Sequence, residues 1–104
     1  MTTTTQTEAE EAADALEMRF LDAVAAGPHA LAETVQEEAH RARNSADFKA
    51  VTHFALAARK AQKLFVNNKQ LHDFFGAVAE AVENFVLWEL DGKARAYFYD
   101  NHTF

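Results

Sequence analysis

Three groups of residues in this sequence have the types and spacing for chemistry or recognition. The first is Glu33, Glu37 and His40. Glu37 and His40 stand three apart, the spacing of the Glu-x-x-His pairs that place carboxylate-bridged metals inside helical bundles, where oxygen and imidazole ligands suit iron, manganese or zinc. Such ligands must face the bundle core. Here the apolar stripe is Leu31, Val35 and Ala39, on the opposite side of the helical wheel. The acids therefore read first as a solvated face with a Glu37–Arg41 ion pair, and a metal would have to be shared between subunits.

The second group is a basic stripe, Lys49, His53, Lys60 and Lys63 flanked by Arg59, with Leu56 among them. At helical spacing these residues share one side, away from Phe48 and Val51, so the cations must be solvated or matched to an anion. An acidic protein surface is one such anion, and a nucleic acid or another phosphate ligand is a second. The chain carries a net charge of −6, and no glycine-hinged, arginine-rich or aromatic-interleaved motif accompanies the stripe, which disfavours nucleic acid.

The third group is aromatic. Phe85, Trp88, Tyr97, Phe98, Tyr99 and Phe104 all fall late in the chain. A domain this small has limited interior for them, and Tyr and Trp are enriched at the energetic centres of interfaces, so Trp88, Tyr97, Phe98, Tyr99 and Phe104 are candidates for a self-association or partner surface.

Catalysis has little to build on. There is no cysteine, the single serine (Ser45) reads as a helix cap, and the five histidines are scattered without a partnered nucleophile. No phosphate-binding glycine loop or nucleophile elbow occurs. The sequence therefore predicts a non-enzymatic protein without a cofactor: an interaction, regulator or inhibitor protein working as a small helical oligomer, with a homodimer as the commonest symmetric form. The alternatives are an anion binder using the basic stripe and an oligomeric metal-binding bundle.

The elements that must position these groups are helices. The chain has 104 residues, enough for one domain, with twenty-two alanines, no isoleucine, three glycines and one proline. Thr7 and Glu10 form a capping-box pattern, and Ala9, Ala13, Leu16, Phe20, Ala23 and Val24 recur along one face of a helix over 8–26. Gly27 and Pro28 separate it from a second helix over 28–43 with the thin stripe Leu31, Val35, Ala39 and Ala42. Ser45 is suited to cap a third helix over 46–66, whose buried arc is Phe48, Val51, Phe54, Ala55, Ala58, Phe65 and Val66.

Asn67 and Asn68 then punctuate, as residues that tolerate left-handed backbone. A fourth helix over 69–87 places Leu71, Phe74, Phe75, Val78, Ala81, Val82 and Phe85 together. Glu89 would fall on that face, so the helix is expected to stop near residues 85–88. Asp91-Gly92 between two aromatic-rich runs favours a β-hairpin over 86–99, with a helix to Leu90, a left-handed Gly92 cap and an extended tail as the rival.

Charge is unevenly laid out. Residues 1–40 carry −8, residues 41–75 carry +5 and residues 76–104 carry −3. The basic middle can meet an external anion or the chain's own acidic arm. No stretch approaches the ~20 apolar residues of a membrane span, and the threonine-rich start lacks the basic flank and apolar core of a leader, so a cytoplasmic protein is expected. Residues 1–6 are expected to be disordered, with one helical domain over 7–104.

Overall fold

The computed structural model describes residues 7–102, so the expectations for residues 1–6 and for Phe104 lie outside the described residues. The described chain is mainly helical: α1 (Glu8–Ala26), α2 (Pro28–Arg43), α3 (Ala50–Leu64), α4 (Lys69–Glu89) and α5 (Gly92–Asn101). No strand occurs among the described residues, and none of their helices is long and apolar enough to cross a membrane.

α1 starts where the sequence says it should. The Thr7 hydroxyl accepts from Glu10 N at 3.1 Å, and Glu10 Oε1 accepts from Thr7 N at 3.1 Å, which satisfies two orphan donors reciprocally. Gly27, at φ 123°, reverses the chain into Pro28 at the first turn of α2.

α3 is shorter than expected at both ends. The Ser45 hydroxyl does not cap a helix beginning at 46. It accepts from Asp47 N at 3.0 Å, and Asp47 Oδ1 accepts from Lys49 N at 2.9 Å, so side-chain bonds hold a turn that delays the helix to Ala50. Phe48 and Val66 fall outside the helix and are exposed rather than on its buried arc. Asn68 does not take left-handed backbone either. It sits at φ −126° and caps α4, its side-chain oxygen accepting from Leu71 N at 3.2 Å.

α3 is the central helix, touching all four others. Its buried residues are not a single arc: Val51, Thr52, Phe54 and the run Ala55–Ala58 are all buried. A helix covered on nearly every side needs small residues where neighbours approach, and Ala55, Ala57, Ala58 and Ala61 supply them. The main core joins α1, α3 and α4 through Phe20, whose ring lies 5.7 Å from both Phe54 and Phe75. These rings are almost wholly sequestered, at 0% exposure for Phe20 and Phe75 and 1% for Phe54.

The end of the chain corrects two expectations. α4 does not stop near residues 85–88 but continues to Glu89, because Val86 packs with Val51 and Ala55 at the start of α3 while Glu89, one turn further, is exposed. Residues 92–101 form a helix, not the second strand of a hairpin or an extended tail. A lone hairpin leaves two unpaired edges, whereas a helix satisfies its own backbone and buries Phe98 beside Val51, Ala55 and Val86. Gly92, at φ 61°, opens α5 rather than capping α4.

Candidate interaction surface

The basic stripe lies against acids of the same chain. Lys49 Nζ reaches Glu8 Oε1 at 2.6 Å, and Lys60 Nζ reaches Asp14 Oδ1 at 2.8 Å, so both cations pair with α1. The bonded carboxylates hold both lysines above the ordinary lysine range. His53 Nε2 lies 2.7 Å from the Tyr97 hydroxyl. Burial pushes the His53 imidazole below its usual pKa and the Tyr97 phenol above its own. Lys63 is exposed near the end of α3.

Arg59 turns inward, to a network that inspection of the sequence missed. Its Nε and NH2 donate to the two oxygens of Glu83 at 2.7 and 2.6 Å, and its NH1 donates to Gln62 Oε1 at 2.8 Å. Glu83 also faces His102, whose Nε2 is 2.6 Å from Oε2. An ionised carboxylate only accepts, so Nε2 is the nitrogen that carries hydrogen. The His102 ring stacks on Phe98 with centroids 4.7 Å apart, and its side chain is fully covered.

Burial pushes His102 below its ordinary pKa, outweighing the opposing pull of Glu83, while the Glu83 carboxylate raises the Arg59 guanidinium. The sealed network ties α3, α4 and the end of α5 into one unit. Gly76 leaves space for it: a Cβ there would lie 2.6 Å from Gln62 Nε2, so a larger residue would push the Gln62 amide aside. Glu83 was legible in principle, because Phe75, Ala79, Glu83 and Val86 follow one helical line, and an acid on an apolar line requires a buried cation.

A second unanticipated carboxylate is Glu38, buried between α1 and α2. Its Oε2 accepts from Arg19 at 2.6 Å and from Arg41 at 3.0 Å. Arg41 therefore pairs with Glu38 and not with Glu37 as expected. Glu33 and Glu37 are exposed, as is His40, whose ring contacts the Asn44 amide. Among the described residues no group of three or more His, Asp or Glu side chains is placed to hold a metal ion.

The aromatic candidates divide. Phe98 is buried in the smaller core, and Tyr97 is half-buried between His53 and Phe48. Trp88 and Tyr99 remain outside, at 82% and 62% exposure. Trp88 follows the apolar arc of α4 beyond Ala81 and Phe85. That arc borders an open cleft of about 370 Å³ between α2 and α4, floored by Phe54 and Val51. The Arg43 guanidinium lies over the Phe85 ring, 5.1 Å from its centroid, at the edge of the same cleft.

Fold and surface together define a mainly helical domain with sealed polar ties inside and exposed aromatic and apolar residues outside. Compared with known protein families, curated proteins and solved structures, the chain matches none.

Proposed function

We propose that this is a non-enzymatic interaction protein, a regulator or inhibitor in the cytoplasm, that acts as a small helical oligomer by covering an apolar surface on its partner or on its own copy. The observation that carries this reading is the exposure of Trp88 and Tyr99, large rings left in water by a fold that sequesters Phe20, Phe54, Phe75 and Phe98 completely or nearly so. The anion-binding alternative has less to draw on, because Lys49, Arg59 and Lys60 already hold carboxylates.

Sedimentation velocity tests the proposal, with fluorescence of Trp88, the chain's single tryptophan. The expected result is a concentration-dependent dimer with blue-shifted emission, converted to monomer by the Trp88→Ala/Tyr99→Ala double variant without loss of melting temperature. A monomer at every concentration, with Trp88 freely quenched by acrylamide in cell extract as in buffer, overturns it.

A further inference from the structure

The link between α4 and α5 holds the chain's single Asp-Gly pair, Asp91-Gly92. Gly92 is held at φ 61°, which glycine adopts without the steric cost other residues meet, so the junction itself calls for a glycine after the aspartate. Glycine also leaves its own amide nitrogen unshielded. Nothing lies within 4 Å of where a Cβ on Gly92 would stand, and both residues are exposed.

An aspartate reacts with its own main chain when two groups are free together, its side-chain carboxyl and the amide of the next residue. Asp91 has both. It precedes the first residue of α5, where no earlier turn exists to accept the Gly92 N–H, and its carboxyl makes no capping bond to that helix. Its backbone is extended, at ψ −172°, so a turn about one main-chain bond sets Gly92 N against Cγ.

The other aspartates and asparagines among the described residues each lack one of the two. Those inside helices are followed by amides bonded to the preceding turn. After Asn44, Asn67 and Asn101 the next amide donates to Ala42 O at 3.3 Å, to Phe65 O at 3.0 Å and to Phe98 O at 2.9 Å. The side-chain oxygens of Asp47 and Asn68 accept from Lys49 N at 2.9 Å and from Leu71 N at 3.2 Å.

We propose that Asp91 is a site of spontaneous backbone modification, isomerising to isoaspartate through a cyclic imide with Gly92. The Gly92 nitrogen attacks Cγ of the protonated carboxyl and the N–Cγ bond forms. The Cγ–OH bond breaks, and the amide proton leaves with that hydroxyl as water. Water then opens the imide at either carbonyl. Attack at Cγ restores aspartate, and attack at the main-chain carbon of Asp91 gives isoaspartate, whose main chain runs through the side chain and is longer by one methylene. That methylene falls between α4, pinned by Glu83 and Val86, and α5, pinned by Phe98 with His102 just beyond, so isomerisation loosens α5. The chemistry is independent of the interaction reading above.

The test ages the full chain in neutral buffer below its melting temperature, labels isoaspartate with an isoaspartyl methyltransferase and radioactive S-adenosylmethionine, and maps the label to peptides. In the folded chain the label is expected in the peptide holding Asp91. It should be lost in Asp91→Ser, whose hydroxyl can cap α5 but cannot form the imide. Asparagine forms the same imide with loss of ammonia, so in urea the label should spread to peptides holding Asn44, Asn67 and Asn68 as their bonds open. A folded chain that gains no label at Asp91, or gains it as readily at Asn44 or Asn68, overturns the site. Hydrogen exchange on the isoaspartate fraction, separated by chromatography, should show lost protection in residues 92–101 that aged Asp91→Ser retains. Unchanged protection there would refute the loosening of α5.

Discussion

Glu83 and Glu38 are both buried carboxylates that each face two basic side chains, yet they should differ in worth. The guanidinium on Glu83 is itself mostly covered, at 17% exposure, so removing the acid leaves a positive charge in a poorly solvated place. The arginines on Glu38 are 58% and 64% exposed and can turn to water. Glu83→Ala should therefore cost roughly 3–5 kcal/mol in urea unfolding, and Glu38→Ala no more than about 1 kcal/mol. Equal losses would show that burial of the partner does not set the cost.

His102 and His53 carry the pH dependence. Both have folded pKa values below the ordinary histidine value, with His102 facing Glu83 from α4 and Arg59 and Lys63 from α3. A lowered folded pKa means that the unfolded chain takes up the proton first. Their stabilisation is then complete above about pH 6.5 and is lost as pH falls through the folded values. The urea midpoint should drop between about pH 7 and about pH 5, and less steeply in His102→Gln. An unchanged slope in that variant would remove His102 from the account.

Among the elements, α5 is the most lightly held. It contacts α3 and α4, and Phe98 is the one buried residue within it, with His102 just beyond its end. Phe98→Ala should cost roughly 3–5 kcal/mol if the helix and the core below it unfold together. Hydrogen exchange decides the alternative: loss of protection confined to residues 92–101 would mean that α5 detaches while α1–α4 persist.

α4 illustrates why its role was only half legible. Phe74, Phe75, Val78, Ala81, Val82 and Phe85 identify an apolar helix from periodicity alone. A stripe wider than the buried line does not say which edge faces α3, and that depends on where Phe20 and Val51 stand.

For the whole molecule, stability should concentrate where three helices meet at Phe20, Phe54 and Phe75. Phe54→Ala or Phe75→Ala is expected to cost roughly 3–5 kcal/mol, close to the full stability of a domain this size. A variant that keeps the parent melting temperature would move the centre of the core elsewhere. The opposed charge blocks have a comparable global use: Glu8 and Asp14 of the acidic arm meet Lys49 and Lys60 of the basic segment across α1 and α3. Their exposure keeps each pair weak and salt-sensitive.

Local chemistry in the sequence determined the helical class, the cap at Thr7, the Gly27-Pro28 break and the phenylalanines of the core, because spacing and capping act within a few residues. Only the tertiary structure decided that Asp91-Gly92 leads into a helix, that Arg59 and His102 converge on Glu83, and that one apolar edge of α4 is left in an open groove. Those outcomes depend on which distant surfaces compete for the same side chain, and helical periodicity carries no record of that competition.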